Sequence, residues 1–297
     1  MPKPLNEFTA ADWLHLRPIL HNYKHARFLL KYEILLRKPA LAGDIEQIVG
    51  AAAGKKLLTT VTFNDPAKAL LQVRAVKRFV PDCVHLLADN SDDMALAQQI
   101  ATIAEENGAF YMHAPVVPWR GLHAGLSHGF AMTWVWRHIV KKAAPYAFGF
   151  IDHDIYPTVP ADPFAPLTDH AIAGRINRSP PRWFLWAGFC FYRFDAVSNL
   201  RLNFIRDWFG GLDTGGGNWK PLYRDIDAAQ VHEFEARSVP ILPGVEINDC
   251  RIEWIGSWLH ESNDWRHLKG PLERDFMKEK SAVVAEKINA LLALTAS

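Results

Sequence analysis

The sequence predicts an α/β protein built on a largely parallel sheet with helices on both faces. Four short apolar, β-rich segments recur at 57–63, 83–88, 109–112 and 146–151. Segments of helical periodicity separate them, and this regular alternation implies right-handed crossovers between parallel strands. The chain has 297 residues, of which 49% are hydrophobic, so it is long enough for one large domain with extensions.

The first predicted element is a helical extension over residues 12–38. Six Lys and Arg residues in this stretch face only Asp12 and Glu33. We expect the helix to pack on the main domain and to expose a basic face to solvent; a dimer seam or contact with anionic lipid are the alternatives. Its apolar positions recur at steps of three and four residues: Trp13, Leu16, Leu20, Tyr23, Leu30 and Ile34.

The next elements form the alternating part of the chain. The first strand ends in the turn formers Asn64-Asp65-Pro66, and helices are predicted over 66–79, 95–106 and 124–142. Gly108 ends the second of these helices. After residue 160 the alternation fades into a region rich in Trp, Gly and Pro, where some tryptophans could stack on sugar rings while most belong to the core.

Composition narrows the class of function. The chain has 33 basic and 32 acidic residues, so its formal net charge is only +1. A net charge this small excludes a general nucleic-acid binder. The three cysteines, Cys83, Cys190 and Cys250, are far apart in the chain and indicate a reducing compartment. The N-terminus shows no signal-peptide pattern, and there is no apolar run of about 18 residues. We therefore expect a cytoplasmic protein, peripheral to the inner membrane face at most.

Polar clusters follow three of the predicted strands. They are Asn64-Asp65, the acidic segment 89–93 and Asp152-His153-Asp154. Ligands of open parallel sheets bind beyond the carboxyl ends of the strands. Alternating carboxylates at such an end suit a hard cation such as Mn²⁺ or Mg²⁺, although Asp is also common in ordinary surface turns.

These three motifs together resemble the nucleotide-binding half of GT-A glycosyltransferases, most closely the inverting family two. The similar segments are Thr60 to Asn64, Asp89 to Asp93 and the D-x-D motif Asp152-His153-Asp154. The second of them is one residue tighter than the commonest family form. The resemblance covers about 100 residues, from 57 to 158, and it implies a Rossmann-like mixed sheet.

The resemblance also implies roles for individual residues. Asp154 would coordinate the divalent metal, and Asp152 would bind the metal through water or the ribose. Ser127 lies where the family often places small residues beside the donor, although ordinary helix capping explains it equally well. The implied nucleotide-sugar contacts are Thr60, Asn64, Asp89, Asp93, Ser127 and Asp152.

Two residues of the second half complete the implied site. Gly188 to Arg193 resembles a family strand that precedes an acidic catalytic base, and Asp213 in the glycine-rich segment 210–219 is the candidate base. The usual Glu-Asp pair is missing, and a plain flexible loop is the alternative. His260 resembles the late histidine that serves many GT-A enzymes as a third metal ligand, but chance is a competitor among 13 histidines.

The predicted function is metal-dependent transfer of a sugar, as by a hexosyltransferase of polysaccharide biosynthesis. The donor is a nucleotide-diphosphate sugar, and the acceptor is a hydroxyl of a saccharide or glycoconjugate. With Asp213 as base the transfer inverts the anomeric centre. The alternatives are a retaining GT-A enzyme, a metal-dependent nucleotidyltransferase or hydrolase, and a non-catalytic carbohydrate-binding protein.

The predicted organisation has four parts. Residues 1–54 are the N-terminal helical extension, 55–158 the nucleotide-sugar-binding half, 159–269 the acceptor-binding and catalytic half, and 270–297 a C-terminal helix. A homodimer or peripheral membrane contact would involve the N-terminal extension. No nucleic-acid partner is expected.

Overall fold

The computed structural model describes residues 7–118, 124–207, 210–240, 251–262 and 271–294. Cys250, Trp208 and Trp265 lie outside these ranges, as do the outer ends of both predicted terminal segments. Cys83 and Cys190 are free thiols, the first half-buried and the second buried.

The described strands form a central mixed sheet of seven strands in the order β3-β2-β1-β4-β7-β6-β8. Strands β1 to β4 are mutually parallel, while β7 runs antiparallel to β4 and β6 antiparallel to β7. The predicted α/β class with a mixed sheet is confirmed. The central strands are β1 (Lys56–Thr62), β2 (Val84–Asp89), β3 (Phe110–His113), β4 (Ala147–Asp152), β6 (Ile172–Ser179), β7 (Arg182–Arg193) and β8 (His232–Glu233).

A second sheet consists of four short strands in the order β5-β11-β10-β9. It was not predicted, because its strands are three to five residues long and separated by irregular chain. Its members are β5 (Ile155–Pro157), β9 (Ala236–Pro240), β10 (Arg251–Ile255) and β11 (Trp258–His260). All three of its pairings are antiparallel.

Helices cover both faces of the central sheet, as predicted. On one face, a hydrophobic core forms between the sheet, the N-terminal helices and the helix that precedes β4. On the opposite face, a second core forms between the sheet, the helix that follows β1 and the C-terminal helix. The helices are α1 (Ala10–Leu14), α2 (Arg17–Leu36), α3 (Ile45–Ala52), α4 (Pro66–Phe79), α5 (Met94–Asn107), α6 (Ala124–Val135), α7 (Lys141–Ala143), α8 (Phe194–Val197) and α9 (Pro271–Ala293). A π-helical segment, Trp136–Val140, joins α6 to α7.

The N-terminal extension differs from its prediction in two ways. The single helix expected over 12–38 is broken at Leu16, whose φ of 54° is left-handed and incompatible with a continuing helix. In addition, the apolar positions that recur along this segment are exposed, although α2 packs on the main domain as expected. The inner face of α2 instead buries Pro18, Tyr32 and Leu36, and the Tyr32 hydroxyl donates a hydrogen bond to Asn203.

The chain order of the sheet fixes where a ligand site can form. From β1 the chain moves outward to β2 and β3, and then returns through α6 to place β4 on the other side of β1. The carboxyl ends of β1 and β4 therefore flank the topological switch point, where open α/β sheets bind their ligands. Asp152, opposite Val61 in the register, ends β4 at this point. The predicted halves 55–158 and 159–269 share this one sheet, because β4 pairs with β7.

Candidate active site

Buried hydrogen bonds hold the backbone of the D-x-D segment at the turn from β4 to β5. The side-chain amide of Gln72 donates to the carbonyls of Asp152, at 2.6 Å, and Ile155, at 2.9 Å. Gly188 on the neighbouring strand β7 leaves room for the side chain of Asp152, because a Cβ at that position would collide with Asp152 and Trp186. His153 points away, toward the Val61 carbonyl.

Pairing of β11 with β5 brings His260 next to Asp154. His260 lies opposite Ile155 in this pairing, and the Glu261 amide donates to the Asp154 carbonyl at 2.9 Å. The His260 Nε2 is 3.8 Å from the Asp154 Oδ1. That separation is too long for a hydrogen bond, but two ligands of one metal ion commonly lie at about this distance or slightly closer.

Glu253 on β10 orients the imidazole of His260. Its Oε2 is 2.9 Å from the His260 Nδ1, and its Oε1 is 2.8 Å from a guanidinium nitrogen of Arg175. Burial alone would raise the pKa of Glu253, but the hydrogen bond from His260 and the charge of Arg175 outweigh it and hold the pKa below its usual value. A carboxylate bonded to Nδ1 leaves Nε2 with the lone pair that a metal requires.

Asp213 comes from the glycine-rich loop after β7. Its Oδ1 accepts hydrogen bonds from the Thr214 amide at 2.8 Å and from the Arg206 guanidinium at 3.1 Å. The Asp213 side chain remains 48% exposed, which leaves it accessible to a ligand.

Four of the predicted site residues, Asp152, Asp154, Asp213 and His260, line one open cavity of about 330 Å³. Its volume lies at the lower end of the range for small-molecule sites. All lining residues except Gly125, Trp186 and Ala187 carry polar side chains. The residues that line it are Gly125, His128, Asp152, Asp154, Arg175, Trp186, Ala187, Asp213, Thr214, Ser238, Glu253, His260 and Ser262.

Aromatic contacts close one side of this cavity. The Trp186 ring lies 4.9 Å from the His260 ring, and the Arg175 guanidinium lies 5.0 Å above the Trp186 ring. Trp183 and Trp258 are buried. Among the described tryptophans of the second half, Trp186 is the one that lines the cavity.

The predicted metal ligands Asp152, Asp154 and His260 line the same cavity, but the three side chains are not clustered around one point. Within the described ranges, no three His, Cys, Asp or Glu side chains are close enough to hold a metal together. Asp152 instead lies with its Oδ1 3.1 Å from the His128 Nε2, although the two atoms are not aligned for a hydrogen bond. The donor set fits a divalent ion at Asp154 and His260, with water and substrate oxygens completing its coordination.

Among the six predicted donor contacts, Asp152 lines the cavity and the other five do not. Asp89 is fully buried and accepts hydrogen bonds from Thr62, from the amide and hydroxyl of Ser91, and from Tyr111. Thr60 is equally buried, and its hydroxyl lies 2.9 Å from the Nε2 of His85. Burial lowers the pKa of His85 to about 3, so the imidazole is neutral. In this structure both residues hold strands together, and their contact with a nucleotide stays a prediction.

Asn64 and Asp93 join the loops that follow β1 and β2. The Asn64 side chain donates to Asp92 and accepts from the Asp93 amide, and its φ of 46° is one that Asn tolerates. Asp93 caps α5 by accepting from the amides of Ala95 and Leu96. Neither residue lines the cavity.

Ser127 lies in the first turn of its helix. The helix predicted over 124–142 begins at Ala124 as α6, so Ser127 is its fourth residue rather than its cap, and it is buried. Its neighbours Gly125 and His128 line the cavity. A donor contact by Ser127 itself stays a prediction.

Replacing Asp89 with Ala tests whether this carboxylate is structural. We expect the free energy of unfolding to fall by about 3 kcal/mol, because four buried donor groups lose their acceptor. Chemical denaturation measures the change, and Asp82→Ala on the surface is the control, with an expected change within about 0.5 kcal/mol. Wild-type stability combined with lost nucleotide affinity would instead establish the ligand contact.

Sequence reasoning missed Arg175 and Glu253. Neither belongs to a motif: Arg175 lies within β6 and Glu253 within β10. The available signal was a charged residue flanked by apolar ones, Gly-Arg-Ile and Ile-Glu-Trp, because such a charge inside a strand requires a partner.

Comparison with known proteins gives structural likenesses only. No family model and no curated protein sequence matches the chain. The galactosyltransferase LgtC in complex with donor and acceptor sugar analogues is 12% identical, with a TM-score of 0.40, covering 81% of this chain and 96% of LgtC. The mannosyltransferase PcManGT from Pyrobaculum calidifontis, in complex with GDP-Man and Mn²⁺, is 10% identical, with a TM-score of 0.38, covering 91% of this chain and 82% of PcManGT.

A third solved structure gives a likeness of the same strength. It is the glucosyl-3-phosphoglycerate synthase of Mycobacterium tuberculosis in complex with phosphoglyceric acid. The identity is 14% and the TM-score 0.41, with 85% of this chain and 86% of the synthase covered. At identities this low, a functional assignment depends on the residues of the cavity themselves.

Proposed function

We propose that this protein is a metal-dependent glycosyltransferase that takes a sugar from a nucleotide-diphosphate donor and passes it to a hydroxyl of a saccharide or glycoconjugate. The observation that carries the proposal is the convergence of Asp152, Asp154, Asp213 and His260 on one polar cavity at the switch point of the sheet. These residues come from three separate segments of the chain.

The charge of the cavity favours a cation together with a hydroxylated ligand. Asp152, Asp154, Asp213 and Glu253 line it, while Arg175 is already paired with Glu253. A bare diphosphate would be repelled by this excess of carboxylates. A divalent ion at Asp154 and His260 would bind the diphosphate oxygens and stabilise the charge that develops on the leaving group.

The remaining residues take roles in binding and proton transfer. Asp152 would accept hydrogen bonds from donor hydroxyls, and Trp186 offers an indole beside the cavity for the apolar face of a sugar ring. The Asp213 carboxylate would accept the proton of the acceptor hydroxyl as that oxygen attacks the anomeric carbon. Attack from the face opposite the leaving group gives an inverted product.

A turnover assay with a panel of nucleotide sugars tests the proposal. Released UDP or GDP is measured with Mn²⁺ and with EDTA, in the presence and absence of simple saccharide acceptors. Metal-dependent release that increases with one acceptor supports glycosyl transfer. Nucleotide release or cleavage that no acceptor stimulates would support a hydrolase or nucleotidyltransferase instead.

Replacing Glu253 with Gln tests the orientation of His260. We expect the apparent affinity for Mn²⁺ to fall about 10-fold to 100-fold, because the carboxylate that fixes the imidazole is lost. Mn²⁺ titration followed by electron paramagnetic resonance measures this affinity without any turnover. Glu235→Gln, an exposed change of the same charge, is the control. An unchanged Mn²⁺ affinity in Glu253→Gln would remove His260 from the proposed metal site.

A further inference from the structure

The outer face of the N-terminal helices exposes large apolar side chains that a protein of this size would normally bury. Tyr23 is 64% exposed and Leu30 63% exposed. They belong to a row of exposed apolar side chains along residues 13–34, interrupted at Arg27, which we call the outer face, and exposed apolar patches of this kind mark interaction sites. Its apolar members are Trp13, Leu16, Leu20, Tyr23, Leu30 and Ile34.

Positive charge lies alongside and within this apolar row. Lys24, Arg27 and Lys31 are exposed on the same side of α2, within the same turns as the apolar residues. Both acidic residues of the two helices are engaged elsewhere, since Asp12 caps α1 and Glu33 pairs with Arg137. The outer face therefore carries one basic residue within its apolar row, Arg27, and two along one margin, Lys24 and Lys31.

We infer that the outer face binds the surface of an anionic phospholipid bilayer. Apolar and aromatic side chains of an interfacial helix enter the headgroup region while Lys and Arg attract the anionic lipids. A second copy of this chain fits less well, because a two-fold contact would place the same basic margin against itself. In the described part of the chain no helix is long and apolar enough to cross a membrane.

The inference does not depend on the proposed catalytic function. The outer face belongs to α1 and α2, whereas the cavity is lined by residues from position 125 onward. Failure of one proposal therefore leaves the other to be judged by its own experiment.

Vesicle sedimentation tests the inference with the whole protein. We expect binding to vesicles of phosphatidylcholine mixed with phosphatidylglycerol, weak binding to phosphatidylcholine alone, and loss of binding in high salt. Lys24→Glu combined with Lys31→Glu should weaken binding by about tenfold or more. The control is Arg74→Glu combined with Lys77→Glu, exposed on α4 at the opposite face of the sheet, which should retain most of the binding.

A second pair of variants tests the apolar component. Leu20→Ser combined with Leu30→Ser should also reduce binding to the anionic vesicles, and circular dichroism checks that the helices remain, since both residues are exposed. Equal binding to both kinds of vesicle, or none to either, would overturn the inference. So would a dimer in sedimentation equilibrium that the Leu20→Ser, Leu30→Ser variant converts to monomer without any lipid binding.

Discussion

Asp154→Asn should reduce glycosyl transfer by about 10³-fold and abolish the dependence of nucleotide binding on Mn²⁺. The side chain is nearly buried and faces His260 across 3.8 Å. Asn keeps its shape but loses the negative charge that a divalent ion requires. Steady-state turnover and nucleotide affinity with and without Mn²⁺ measure the effect.

The matched control for this variant is Asp169→Asn, an exposed change of the same charge. It should leave turnover and metal dependence unchanged. Unfolding curves of Asp154→Asn and the wild type should be similar, so that lost activity is not lost structure. An Asp154→Asn protein that still binds UDP or GDP more tightly with Mn²⁺ would contradict the metal assignment.

Asp213→Asn should lower turnover by about 10²-fold or more while donor affinity changes little. The amide oxygen of Asn can keep the hydrogen bonds from Thr214 and Arg206, but it cannot take up a proton. Only the step that needs a base should therefore be slowed. Turnover at saturating donor, together with the donor dissociation constant, separates the two effects.

Asp195→Asn, a largely exposed side chain outside the cavity, is the control for Asp213. An equal loss of donor affinity in Asp213→Asn would place this residue on the nucleotide sugar. The stereochemistry of the product gives an independent check, followed by NMR. Retention of the anomeric configuration would remove the inverting role of Asp213 whatever the variant does.

The parallel half of the fold could be predicted because local signals and periodicity agree there. The helix predicted over 66–79 is α4 with the same bounds, since Asp65 caps it and Pro66 begins it. Which face of α2 packs on the domain could not be predicted, because periodicity identifies an apolar stripe without showing which side meets the protein. The short strands of the second sheet carry too few residues to show a pattern.

A site residue could be predicted where the strand that positions it directly precedes it in the sequence. Asp152 and Asp154 satisfy this condition, because a buried strand leads directly to them. Asp89 also ends a strand, but neighbours far along the chain, such as Tyr111, make it a buried acceptor. The Glu253 contact to His260 arises from the pairing of β10 with β11, which no single-sequence pattern reports.

The central claim is that a divalent metal joins a nucleotide diphosphate to the cavity at Asp154 and His260. Calorimetric titration of UDP and GDP into the wild-type protein, with Mn²⁺ and with EDTA, tests it most directly. The account predicts that one of the two nucleotides binds with Mn²⁺ and loses most of its affinity in EDTA. Affinity that is the same in both conditions, or absent in both for each nucleotide, would contradict it.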